Sequence, residues 1–149
     1  MLFFPLLDAH WRPPVVPLTQ RHLFAWAAML LAAAILLIWR PVYAGYSAAM
    51  LLTGALPEEW FFRAYLMTST GQGWLANIAA SLLFSLMHGI TWGWIAAILV
   101  FTPSLFYGCL YQRTRDLPLL VLAHALSNIV FMMFIAGFIE RWLPVTVVR

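Results

Sequence analysis

The stretch "HLFAWAAMLLAAAILLIW", His22 to Trp39, contains no Asp, Glu, Lys or Arg and is bracketed by Arg21 and Arg40. As a helix it extends about 27 Å at ~1.5 Å per residue, enough to cross the hydrocarbon core of a bilayer. No water reaches the backbone there, so only helices and closed barrels cross. The apolar runs of this chain are long and lack two-residue alternation, which selects helices.

Composition extends that reading to the whole molecule. The 149 residues are 64% hydrophobic and 9% charged, with no lysine, and the mean hydropathy is +0.90. A soluble domain carries roughly a quarter charged residues. So few charges cannot clothe a water-facing surface of this size, and the chain reads as an integral membrane protein. The net charge of +3 comes from scattered arginines with no basic block, which leaves no nucleic-acid footprint. Cys109 is the only cysteine, so no internal disulfide forms, and it reads as a small apolar helix residue. The run "LFFPLL" is too short for the apolar core of a secretory signal and has no basic residue before it.

Outward from the first span, residues 1–20 are proline-rich and read as an irregular or surface-lying lead-in. After Pro41 a second apolar stretch, "VYAGYSAAMLLTGAL", runs into "PEEWFFRAYL". Gly54 and Pro57 are expected to interrupt it, giving one broken helix over about 42–68 or two shorter helices meeting at Pro57. "STGQG" (Ser69 to Gly73) is a turn, and "WLANIAASLLFSLMHGI" (Trp74 to Ile90) is the next span. A helix from near Trp92 to Tyr111, bent at Pro103, leads to the polar loop "QRTRDLP" and the last span, "LLVLAHALSNIVFMMFIAGFI". The expected fold is all-α: a multi-pass transmembrane helical bundle of about five membrane segments, one domain over residues 1–149. Trp39, Trp74, Trp92, Trp94 and Trp142 fall near span ends, as an interfacial belt places them. Arg12, Arg21, Arg113 and Arg115 lie on one side against Arg40, Arg141 and Arg149 on the other, a narrow positive-inside majority.

Within the spans remain the Glu58/Glu59/Arg63 cluster, His88, His124 and Asn128. An ionised side chain at the bilayer centre costs roughly 2.5–3.5 kcal/mol on insertion scales, so such groups have a partner or a task. Measured from the side of "STGQG" and "QRTRDLP", helical rise puts Glu58 roughly 17 Å deep, His88 roughly 21 Å, Asn128 roughly 15 Å and His124 roughly 9 Å. Three helices therefore offer polar groups at comparable depth. Glu59 and Arg63 stand i, i+4 with the acid first, the favourable order for a helical ion pair. Glu58 is rotated about 100° away and is the carboxylate that pair leaves over. Phe84 and His88 share a face, as do His124 and Asn128.

Such a set suits hydrolysis of a carbonyl. A carboxylate in apolar surroundings is a competent general base for water near neutral pH. Imidazole N–H and amide NH₂ groups donate to the oxyanion of a tetrahedral intermediate. No Ser-His-acid set is evident and Cys109 has no evident base, so activated water is preferred to a covalent nucleophile. Taken singly, a membrane histidine reads as an interhelical hydrogen-bonder, a Glu–Arg pair as structural glue and Asn128 as packing polarity. Their joint occurrence, with one glutamate left over, favours a site.

Glu58-Glu59-x-x-x-Arg63, Phe84-x-x-x-His88 and His124-x-x-x-Asn128, in that order on successive helices, resemble the three signatures of the CPBP intramembrane proteases, also called CAAX prenyl protease 2, Rce1-like or Abi proteins. The resemblance covers about residues 54–131, the motif core. It implies an intramembrane endopeptidase of glutamic or metal-dependent type in which Glu58 is the catalytic base. His88 and His124 would then bind water or the oxyanion, and Asn128 would be a supporting donor. Glu59 and Arg63 would shape the motif. The implied partners are the bilayer and a membrane-associated peptide or protein, lipidated or bearing a C-terminal sorting signal. The short chain resembles compact bacterial forms associated with sorting signals, whose location would be the inner membrane, and leaves less scaffold to house a prenyl group. No cofactor is favoured. Zinc on His88 and His124 is the alternative, disfavoured because HExxH is absent, Asn128 is a poor ligand and Glu58 cannot readily be both ligand and base. The competing functions are a proton-coupled transporter, weakened by the lack of inverted repeats, and a non-catalytic scaffold or immunity protein.

Overall fold

Apolar runs separated by a few polar residues can bury their backbone groups only as helices folded back on one another, and five helices form among the described residues. The computed structural model describes Asp8 and residues 19–142. Helix α1 is Gln20–Trp39, α2 spans residues 41–69, α3 is Trp74–Trp92, α4 is Trp94–Thr114 and α5 spans residues 117–142. No strand occurs among the described residues. The lead-in expected over residues 1–20 lies outside the described residues apart from Asp8, Thr19 and Gln20, as do Arg12 and Arg149.

Among the described residues, four segments are long and apolar enough to cross a membrane: Gln20–Trp39, Trp74–Trp92, Trp94–Thr114 and Leu117–Ile139. Large apolar side chains point outward along them, among them Phe24, Ile38, Leu75, Ile90, Ile98 and Phe138. In water such a surface would drive aggregation, whereas lipid is its natural solvent. The protein is an integral membrane protein.

Helix α2 departs from expectation. Pro57 neither breaks it nor separates two helices, because the chain widens into π turns on both sides, over Leu51–Ala55 and Trp60–Met67. Pro57 opens the α-helical turn between them, Leu56–Glu59, where its missing N–H falls at the change of register. Gly54 is likewise passed without a break. Pro103 lies inside α4 without ending it.

Short connections make sequential helices antiparallel neighbours. Between α3 and α4 the link is the single residue Gly93, whose φ of 93° a side chain rarely tolerates. At the other end, Gln112 Nε2 donates to the carbonyls of Gln72 and Gly73 at 2.8 and 2.9 Å, tying the two polar loops together on one side as the depth measurement assumed. Buried Asp116 caps α5 by accepting from Leu119 N at 2.9 Å, and accepts from Trp26 Nε1 at 2.8 Å, which docks α1.

Helices α3 and α4 are joined through buried Asn77. Its amide donates to the Leu105 carbonyl at 3.1 Å and it lies directly over Gly108, where any Cβ would overlap the Asn77 side chain. A small residue at this crossing lets two backbones approach in lipid. Gly108→Ala is therefore expected to lower stability by about 1–3 kcal/mol through overpacking. Gly45→Ala, whose added Cβ meets nothing within 4 Å, serves as the neutral control. Thermal unfolding of both variants in the same detergent makes the comparison, and an unchanged melting temperature for Gly108→Ala would refute the contact.

Candidate active site

Helix α2 delivers Glu58, Glu59 and Arg63, α3 delivers Phe84 and His88, and α5 delivers His124 and Asn128. Glu59 and Arg63 are both buried, with Arg63 Nε 3.3 Å from Glu59 Oε2, an ion pair without hydrogen-bond alignment. Arg63 Nη2 reaches across to α4, donating to Ser104 Oγ at 2.7 Å and to the Ser104 carbonyl at 3.0 Å. The expected i, i+4 pair is present, and it is anchored by a serine that sequence spacing did not single out.

His124 joins the two glutamates. Its Nδ1 is 2.7 Å from Glu59 Oε1, while its Nε2 is 3.8 Å from Glu58 Oε2. Since an ionised carboxylate only accepts, the Nδ1 proton is donated to Glu59. This contact was not expected, because the helical wheel of α2 displays only partners on α2. Helical rise set His124 at a depth comparable to that of Glu58, roughly 8 Å shallower, and the two meet in the fold. The π turns wind more residues into each turn, so residue counting overstates the depth of Glu58.

Glu58 is the less encumbered carboxylate. Its side chain is 15% exposed against 1% for Glu59, and His124 is its one salt-bridge partner among the described residues. His88 lies within electrostatic range of Glu58. Its ring packs on Phe84 with centroids 4.3 Å apart, and its Nδ1 is 3.0 Å from the Phe84 carbonyl. A carbonyl only accepts, so the proton of a neutral His88 resides on Nδ1 and Nε2 presents a lone pair. Phe84 also meets His124 edge-on at 6.2 Å, so it lines the space between the two imidazoles. Asn128 is half-buried one turn beyond His124, and its amide makes no hydrogen bond among the described residues.

The groups thus divide into acceptors, Glu58 and His88 Nε2, and donors, the Asn128 amide and, when its ring carries both protons, His124 Nε2. Zinc would need a third ligand beside His88 and His124, but no three His, Cys, Asp or Glu side chains among the described residues are grouped as metal ligands. The donor set does not fit that ion, and no step is routed through it.

Arg63→Ala is expected to strand the Glu59 carboxylate in the bundle and cost about 3–5 kcal/mol, seen as lower folded yield and melting temperature. Normal yield and melting of the purified variant would contradict the pairing.

Searches of curated proteins and of solved structures each found no match. A family model described as type II CAAX prenyl endopeptidase Rce1-like matches residues 40–130, more than half of the chain and all three motifs. The chain belongs to the Rce1-like family.

Proposed function

We propose that this protein is an intramembrane endopeptidase that hydrolyses a peptide bond of a membrane-associated protein by glutamate-activated water. Family membership implies a CAAX-type intramembrane protease with protein substrates. The observation that carries the finer reading is the asymmetry of the two glutamates. Glu59 is held by Arg63 and His124, while Glu58 is partly exposed and has His124 Nε2 as its one salt-bridge partner among the described residues.

In this mechanism a water donates one proton to Glu58 and the other to His88 Nε2, so that its lone pair faces the scissile carbonyl. Glu58 takes its proton as the water oxygen bonds to the carbonyl carbon. The carbonyl π pair moves onto oxygen, and the resulting oxyanion accepts from the Asn128 amide and from His124 Nε2–H. Collapse re-forms the carbonyl and breaks the C–N bond, and the proton held by Glu58 passes to the leaving nitrogen. Glu59 keeps the His124 Nδ1 proton engaged, which leaves Nε2 free for the site.

Purified protein in detergent is given two peptides, one lipidated on a C-terminal cysteine and one carrying a C-terminal sorting signal, with products read by mass spectrometry. A single discrete cleavage in either supports the reading. Intact peptides in both would favour the non-catalytic scaffold. Glu58→Gln is expected to lose at least about a hundredfold in rate with little change in melting. Glu59→Gln is expected to lose less rate and more stability. Wild-type cleavage by Glu58→Gln beside a dead Glu59→Gln would reverse the assignment.

A membrane-permeant chelator of divalent ions is expected to leave turnover unchanged. Activity lost to the chelator and restored specifically by zinc would move His88 and His124 into a metal site.

A further inference from the structure

Helix α4 carries none of the three motifs, yet it borders the site along one face. Ser104 and Tyr107, i and i+3, are both buried there, with Ser104 bonded to Arg63. Tyr107 lies against His124 with ring centroids 5.1 Å apart and planes inclined by 20°, an offset stack. The imidazole is thereby constrained on three sides. Glu59 holds its Nδ1 edge at 2.7 Å, Tyr107 covers a face, and Phe84 stands edge-on at 6.2 Å.

The ring turns about its Cβ–Cγ bond, a broad torsion, and a single hydrogen bond on one edge, tolerant of misalignment, restrains that torsion only loosely. A ring lying flat against a second ring cannot turn without losing the stack. We propose that Tyr107 is a positioning residue, whose ring fixes the plane of His124 and so aims Nε2 at Glu58 and the reacting carbonyl. It acts on the reaction through His124. A misplacement of about 1 Å in a group that must meet a developing charge costs on the order of a hundredfold in rate, so the stack bears on turnover more than on binding. The inference rests on the protease reading for its kinetic consequence but not for its geometric one.

The test compares Tyr107→Met, which keeps bulk but removes the flat face, with Tyr107→Phe, which keeps the face and removes the hydroxyl. For the cleaved peptide, Tyr107→Met is expected to lower kcat about tenfold to a hundredfold with KM changed less than about twofold. Tyr107→Phe is expected to retain wild-type kcat. Independently of any substrate, ¹⁵N-histidine-labelled protein in micelles reports the His124 Nδ1–H signal, assigned by its loss in His124→Asn. That signal is expected to shift or broaden in Tyr107→Met and to persist in Tyr107→Phe. An unchanged signal or wild-type kcat in Tyr107→Met overturns the proposal. So does an equal loss of kcat in Tyr107→Phe, or a loss of rate in Tyr107→Met matched by loss of folded protein. If the wild-type protein cleaves no peptide, the protease reading fails while the histidine signal still decides the role of Tyr107.

Discussion

Arg63 is a guanidinium with no exposed surface in a protein whose solvent is lipid. Removing such a charge from water costs several kcal/mol, which its partners offset only when their geometry is held. Here the partners come from three helices. Glu59 lies on the same helix, Ser104 is contributed by α4, and His124 of α5 closes the chain of contacts on the far side of Glu59. Because Arg63 and Glu59 have no exposed surface, α2, α4 and α5 must all be in place to supply the partners these ions have. The network therefore specifies which helices meet and at what height, a task that apolar packing in lipid performs weakly.

The same network separates two chemically identical neighbours. Glu59 has its two oxygens directed at Arg63 and His124 and none left for a substrate. Glu58, one residue earlier, keeps part of its surface exposed, with His124 Nε2 3.8 Å away and the half-buried His88 within electrostatic range. A buried ion pair is weak evidence for stability in itself. Its value here is directional, since charge committed to structure on one side of α2 leaves an uncommitted carboxylate on the other.

Hydropathy made the long spans legible, with α1 and α3 bounded to within two residues of their sequence limits. It misread α2, because proline is a helix breaker when each N–H must meet the fourth carbonyl back, and the π turns beside Pro57 relax that requirement. At the site, the rare residue types stood out against an apolar background, so Glu58, Glu59, Arg63, His88, His124 and Asn128 could be nominated and the Glu59–Arg63 pair deduced from spacing. Contacts between helices could not be deduced so. The Glu59–His124 bond spans 65 positions, and Ser104 and Tyr107 are residue types that any membrane helix carries. Proximity to His124 and Arg63 gives them meaning, and proximity is a property of the fold.

The π turns themselves bear on how one helix serves both the pair and the site. In a regular α-helix, Glu59 and Arg63 at i, i+4 would face each other squarely and spend their hydrogen-bonding capacity on one another. The widened turn begins at Trp60, between them. Their closest approach, 3.3 Å, retains the electrostatic attraction but not the alignment of a hydrogen bond. Arg63 Nη2 is consequently directed outward to Ser104 and Glu59 Oε1 to His124. A closed two-residue pair would have satisfied the charges and left α4 and α5 unconnected to them. By loosening that pair, the irregular backbone of α2 converts a local contact into an interhelical one, and that conversion sets His124 beside Glu58.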